Sequence, residues 1–430
     1  MKIAVVGLWH LGSVTAACLA SGGHDVIAYD ADVSVIENLK LGKAPLFEPG
    51  LDNLIASGIA LSKLHFVSDR NEICDAEIVW VNYDTPVDDN DIADVKFVTD
   101  EIEKLFSSLK SNALVMISSQ LPVGSTRRLQ KRCAELFPET QITFAYSPEN
   151  LRLGKAIDVF TKPDRVVVGL QSGADQERVQ TLLKPFTDNI VWMSIESAEM
   201  TKHALNAFLA TSVVFINELA SLCEKVGADA REVERGLKTE ERIGPKAYLK
   251  PGNPIAGGTL ARDVNFLVQI GKDKHQPTPL FSALLDSNQA HKQWSSNRLL
   301  EVFSNLKNKV IVALGLTYKA GTDTLRRSTA IELCEWLNNQ GAKVVAFDPV
   351  VNQLPEHLSN VIELKKSLDE AIAGADAVVV ATEWPQFSEL TAEKITLLAG
   401  EPHIFDASGF LMKTLGQDTR LRYHTVGRVA

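Results

Sequence analysis

Cysteine is scarce in this chain and nowhere clustered. The five thiols, at positions 18, 74, 133, 223 and 334, form no CxxC pair and no metal-ligand spacing. That excludes a zinc or iron–sulfur module and a disulfide framework, and it predicts reduced, mostly buried thiols in a cytoplasmic protein without a metal. Basic residues are also the minority, 44 Lys and Arg against 54 Asp and Glu, for a formal net charge of −10. Neither a nucleic acid nor an anionic membrane is the expected partner, although a local basic site for phosphates stays compatible. Low-complexity segments and short repeats are lacking. The apolar run "ALNAFLATSVVFINELASLC" (204–223) is interrupted by Asn206, Asn217 and Glu218 and reads as a buried interface helix, not a membrane span. The opening "MKIAVVGL" meets glycine, Trp and His too soon for a signal peptide and reads as a strand.

What is present points to an α/β fold. A chain of 430 residues exceeds one ordinary core and predicts two or three domains. "KIAVVG" (2–7), "DVIAYD" (25–30), "AEIVWVN" (76–82), "ALVMIS" (113–118), "ITFAYS" (142–147) and "RVVVGL" (165–170) are short runs rich in Val and Ile, with helical periodicity between most of them. Strands alternating with helices predict βαβ units and a parallel sheet covered on both faces, placed at 1–195. A helical stretch follows over 196–305, opening with one long apolar stripe at 196–226. The strand pattern returns in "KVIVALG" (309–315), "KVVAFD" (343–348), "DAVVVAT" (376–382) and "HIFDAS" (403–408), which predicts a smaller α/β domain over 306–430.

The first strand runs into "VVGLWHLGSVTAACLASGGHDVIAYDAD", where Gly7 and Gly12 hold the outer positions of a GxGxxG turn and the next strand ends in Asp30. A glycine turn, a helix and an acidic residue about twenty positions on form the dinucleotide-binding arrangement. The helix N-terminus would receive the pyrophosphate, and Asp30 would bind an adenosine ribose and repel a 2′-phosphate. Trp9 replaces the middle glycine and is expected to crowd the turn. A Rossmann-like domain that has lost its cofactor is the alternative.

Longer stretches then converge. "LKLGKAPLFEPGLDNLI" (39–55), "LPVGSTRRL" (121–129), "AYSPENLRLGKAI" (145–157), "SAEMTKHALNAFLATSVVFINELASLCEKVGAD" (197–229), "ERIGPKAYLKPG" (241–252) and "LGLTYKAGTDTLRRSTAIEL" (314–333) together resemble the UDP-glucose/GDP-mannose 6-dehydrogenase family, in its order and over essentially the whole chain. The resemblance implies two Rossmann-like parallel-sheet domains joined by a central helical domain, whose long helix also makes a homodimer. It implies NAD as cofactor and a nucleotide sugar as substrate, oxidised at C6. Lys202 and Asn206 match the family's K-x-x-x-N pair, and Glu149 matches an acidic residue that is either a base or a water-orienting group. Arg242 matches an arginine reaching the substrate of the partner subunit, and Lys319 a residue near the nucleotide sugar. Leu151, Arg152, Tyr248 and Gly257 fall among the substrate positions. Leu11, Thr85, Gln120, Arg262 and Arg326 fall among the cofactor positions.

The glycine-rich loop "PIAGGTLARD" (254–263) is similar to the family's G-F-G-G-S-C-F-P-K-D. Asp263 is kept, Arg262 stands for the lysine, and Thr259 stands for the catalytic cysteine. A thiolate would hold the aldehyde formed first and let it give up a second hydride, whereas a Thr hydroxyl is much harder to ionise. Gln120, in place of a Thr that helps hold water, and Asp84, in place of a Gly, alter the same half of the site. The expectation is a two-electron oxidation to the 6-aldehyde. Alternatives are a four-electron oxidation through a hydrated aldehyde, a β-hydroxyacid dehydrogenase, and a non-catalytic binder of nucleotide sugar or NAD.

Overall fold

The computed structural model describes residues 1–88, 93–149, 151–255 and 258–429. They form two compact units, Met1–Leu205 and Asn206–Ala430, and the helix Ile195–Val226 runs through the junction.

In the first unit the strands are β1 (Lys2–Val6), β2 (Asp25–Tyr29), β3 (Leu64–Val67), β4 (Ile78–Val81), β5 (Leu114–Ile117), β6 (Thr143–Tyr146), β7 (Val166–Leu170) and β8 (Ile190–Met193). They lie in the order β3-β2-β1-β4-β5-β6-β7-β8. Helices cover both faces, so successive residues of one strand enter different cores. Ile3 and Val5 pack into one cluster, Ala4 and Val6 into the other. Burial on both faces is why the central strands read as unbroken apolar runs. Strands β3 and β8 went unread because they sit at the sheet edges with four residues each, β8 only partly buried. The sheet is parallel except that β7 runs against β6. The connection 147–165 therefore returns at the same end of the sheet, and it carries Glu149, Leu151 and Arg152.

The second unit opens with the helices Ala230–Thr239, Thr259–Asp273, Pro279–Lys292 and Trp294–Phe303. Its strands are β9 (Val310–Leu314), β10 (Lys343–Phe347), β11 (Glu363–Leu364), β12 (Ala377–Val380), β13 (His403–Phe405) and β14 (Arg422–His424), ordered β11-β10-β9-β12-β13-β14 and all parallel. That order repeats the first six strands of the other sheet.

The repetition reaches single atoms. The Leu8 N–H donates to Asp30 Oδ2 at 2.7 Å, and the Leu316 N–H donates to Asp348 Oδ2 at 2.7 Å. Gly7 and Gly315 end their strands at φ +84° and +86°. The two turns then diverge. In the first unit a helix starts at His10, three residues after the glycine, while in the second the next helix waits until Thr329. Asp348 is also fully engaged, by the Thr317 N–H, by Trp384 Nε1 at 3.1 Å and by the Val350 and Val351 N–H groups. A helix N-terminus beside a partly open carboxylate thus exists at the first turn and not at the second.

Among the described residues, Ile195–Val226 is the one helix long and apolar enough to cross a membrane. It carries Glu199, Lys202, His203 and Asn206, all buried, within two turns, a polar load that a lipid-facing span does not carry.

Candidate active site

The glycine turn after β1 is built by contact distances that glycine alone tolerates. A Cβ on Gly12 would lie 1.9 Å from the Gly7 carbonyl oxygen, and one on Gly7 would lie 2.6 Å from the Tyr83 ring. These approaches seat the N-terminus of the helix His10–Ser21 against the end of β1, where its free N–H groups are suited to receive an anion. Trp9 does not fill the turn. Its side chain is about half exposed, at 48%, and its backbone, at φ −70°, needs no glycine. Asp30 holds the turn through the Leu8 and Asp32 N–H groups and stays partly open. Thr85 and Gln120, on the loops after β4 and β5, are brought together by a hydrogen bond from Thr85 Oγ1 to the Gln120 carbonyl at 2.7 Å. Leu11 lines a cavity with Asn82, Ser147 and Glu149. The close-approach cradle and the partly open Asp30 fit a dinucleotide.

Lys202 is not a solvated helix lysine. It is 6% exposed, its Nζ donates to the Glu149 carbonyl oxygen at 2.6 Å, and it lies 3.6 Å from Glu149 Oε1. Glu149 Oε2 in turn accepts from the Leu151 N–H at 2.7 Å. Two neighbours on the same helix, unread in the sequence, fix the loop that follows β5. Glu199 accepts from the N–H groups of Gly124 and Thr126, and His203 Nε2 lies 3.1 Å from the Leu121 carbonyl oxygen. Glu48, within the stretch 39–55, carries no motif of its own in the sequence. That buried carboxylate accepts from the Gly154 N–H at 2.7 Å and the Ala156 N–H at 2.8 Å, and it pairs with His10 Nε2 at 2.9 Å. It ties the Leu151–Arg152 loop to the first residue of the cofactor helix.

In the second unit Asn206 donates through Nδ2 to Asp263 Oδ2, and both residues are buried. Thr259 opens the helix Thr259–Asp273 and is exposed. Asp263 lies one turn further on, so the two share a face. The chain leading to this helix is clamped by amides. Asn217 accepts from the Gly252 N–H and donates to the Asn253 carbonyl, Asn288 does the same for the two backbone groups of Ile255, and His291 meets the Gly252 carbonyl at 2.7 Å. Side-chain bonds to backbone leave no motif, which is why none of these was read. Gly257 lies outside the described residues. Arg242, paired with Glu240 at 2.9 Å, is exposed, as are Tyr248, Lys319 and Arg326. The last two belong to the stretch between β9 and the helix Thr329–Asn339.

Three of the thiols are kept protonated by their surroundings. Burial pushes Cys18 and Cys334 up to about 12 and Cys133 up to about 11, with the Glu48 charge adding to the shift at Cys18 and the Glu335 charge at Cys334. None of these three supplies a thiolate near neutral pH.

Comparison with known proteins matches the UDP-glucose/GDP-mannose dehydrogenase family in three stretches. They are its NAD binding domain over residues 1–187, its central domain over 196–290 and its UDP binding domain over 312–413. A UDP-glucose 6-dehydrogenase of Rhizobium meliloti (strain 1021) is 33% identical over 442 residues, covering 100% of both chains. The UDP-glucose 6-dehydrogenase YwqF of Bacillus subtilis (strain 168) is 32% identical, covering 100% of this chain and 98% of its own. A solved UDP-D-ManNAc dehydrogenase from Pyrococcus horikoshii aligns with a TM-score of 0.87 at 25% identity, over 100% of this chain and 99% of that one. A UDP-glucose dehydrogenase from Pyrobaculum islandicum is alike in fold, with a TM-score of 0.88 at 24% identity over 100% and 98%.

Proposed function

The chain belongs to the UDP-glucose/GDP-mannose dehydrogenase family, and from that premise we propose that this NAD-dependent nucleotide-sugar dehydrogenase oxidises the C6 hydroxyl once and releases the 6-aldehyde. What carries the reading is the helix Ile195–Val226. Lys202 and Asn206 stand one turn apart on it, and each is buried with a carboxylate of its own, Glu149 and Asp263.

Breaking the C6–H bond as hydride requires the O–H bond to break as well, with C=O formed in their place. NAD, when bound, takes up the hydride. In this reading the Lys202 ammonium and the Asn206 amide stabilise the negative oxygen that develops, and the Glu149 carboxylate, 3.6 Å from Lys202 Nζ, accepts the proton or holds water that does. Arg242, Lys319, Arg152 and Tyr248 engage the nucleotide diphosphate and sugar, Arg262 and Arg326 the cofactor. A second oxidation needs an adduct on the aldehyde carbon. Position 259 offers a Thr hydroxyl for this, which neither ionises readily nor leaves readily from an ester.

The test is stoichiometry at completion, with product mass alongside. One NADH per sugar and an aldehyde captured by a trapping amine are expected. Two NADH and a carboxylate overturn the one-step reading and favour a hydrated aldehyde as intermediate.

We propose in addition that the helix pairs with its copy in a two-fold homodimer, in which Arg242 completes the neighbour's site. Phe208, Phe215 and Leu222 are exposed at seven-residue intervals along it, the spacing of a helix–helix seam. Phe215→Glu should give a monomer with little activity by light scattering and assay. A fully active wild-type monomer overturns this.

A further inference from the structure

The residue after β4 carries an acceptor that the protein itself leaves unused. Asn82 is 1% exposed, and its Nδ2 donates to the Trp80 carbonyl oxygen at 3.3 Å. A carbonyl oxygen can only accept, so the amide must turn its nitrogen there, and this fixes Oδ1 on the other side. Oδ1 is buried without a hydrogen-bond partner. Unlike a hydroxyl, an amide oxygen cannot rotate to find one, so such a group is costly to leave bare.

Its surroundings narrow where a donor can come from. Asn82 lines the cavity that also takes in Leu11, Ser118, Ser147 and Glu149. Two of the hydroxyls there, those of Ser118 and Ser147, are already committed as donors. Ser118 Oγ donates to the Ser147 carbonyl and accepts from Trp80 Nε1, and Ser147 Oγ donates to the Val167 carbonyl. A Cβ on Gly12 would lie 3.5 Å from the Asn82 Cβ, so the side chain sits beneath the cofactor turn. β1, which carries that turn, separates β4 from β2 and Asp30. Asp30 marks the adenosine end, and Asn82, on the side of Glu149 and Lys202, marks the end from which hydride chemistry proceeds.

We propose that Asn82 Oδ1 accepts a hydrogen bond from the nicotinamide riboside half of NAD, making Asn82 a cofactor-contacting residue that distinguishes this half from the adenosine half. The donor is either the carboxamide N–H or a hydroxyl of the second ribose. The inference rests on the NAD reading of the first unit. ADP binding to the wild-type protein tests that reading separately, because ADP lacks the nicotinamide riboside.

The experiment titrates wild type and Asn82→Leu with NAD, 3-acetylpyridine adenine dinucleotide, ADP-ribose and ADP by calorimetry. Asn82→Leu should bind NAD about tenfold more weakly than wild type and ADP equally well. If the carboxamide donates, ADP-ribose is unaffected and wild type prefers NAD to the acetylpyridine analogue, a preference that the variant loses. If the ribose donates, NAD, the analogue and ADP-ribose weaken together. Either pattern supports the proposal. NAD affinity unchanged in the variant, as for an acceptor satisfied by a buried water, overturns it. So does equal weakening of NAD and ADP, which would make Asn82 a prop for the turn. Asn82→Ala, run with the same four ligands, decides by the same outcomes if the Leu variant does not fold.

Discussion

Replacing Glu199 should loosen the loop after β5 and destabilise the first unit measurably. The carboxylate is fully buried and makes two hydrogen bonds, to the N–H of Gly124 and to that of Thr126 at 2.9 Å. Those groups belong to the start of the helix Ser125–Leu136, where unpaired donors and the helix dipole both favour a negative charge. Hydrogen bonds to a charged acceptor contribute about 1.5–3 kcal/mol each. Glu199→Ala removes both bonds and strands two N–H groups, while relieving the desolvation of the charge. The net cost should be about 3–5 kcal/mol. Glu199→Gln keeps an oxygen for one N–H but turns an NH2 toward the other, for a cost of about 1–3 kcal/mol. Urea unfolding gives the ranking wild type, Gln, Ala. Hydrogen exchange at Gly124 and Thr126 localises it, and NAD affinity should fall in parallel because Gln120 sits on the same loop. An alanine variant within 1 kcal/mol of wild type, with unchanged exchange at both amides, would refute the idea that this carboxylate holds the loop.

Two further outcomes follow from charge. Asp30 should make kcat/KM with NAD exceed that with NADP on the order of 100-fold by repelling a 2′-phosphate, and Asp30→Asn should narrow the gap; equal values for the two cofactors in wild type would contradict the assignment. His424 is pushed down to about 4 by burial, by neighbouring His403 and by Arg298 and Arg422, below its ordinary value of about 6.5. The unfolded chain then takes up the proton first, so the contribution of neutral His424 is whole above pH 6.5 and falls as pH drops toward 4, by at most about 3 kcal/mol. His424→Phe, which preserves the stack on Phe405 at 4.6 Å, should flatten that part of the stability–pH curve of the second unit; an unchanged slope would exclude His424 as its source.

How far the sequence speaks can be read from particular residues. The central strands β1, β2, β4, β5, β9, β10 and β12 were legible because a strand buried on both faces has no polar position to interrupt it. Edge strands β3, β8, β11 and β14 lack that constraint. Gly7, Gly12 and Asp30 were legible as a spacing, and the family resemblance marked Lys202, Asn206, Glu149 and Asp263. Their spacing could not show that Lys202 is held at Glu149 or Asn206 at Asp263, partners 53 and 57 positions away.

By itself, then, the sequence determined the fold class, the glycine turn, the family and the presence of a Thr at position 259, because each depends on local spacing or on the identity of one side chain. Tertiary structure alone decided which carboxylate stays open. Asp30 and Asp348 follow equivalent strands and make the same backbone bond; Gly12 marks the first turn in the sequence, but nothing beside either aspartate shows which carboxylate is closed. Trp384, 36 residues beyond Asp348, closes one, and the helix that begins at His10 leaves the other facing a helix N-terminus. Hydrogen bonds from distant side chains saturate an acceptor without leaving any local trace, so which of two like carboxylates stays open is written in the packing.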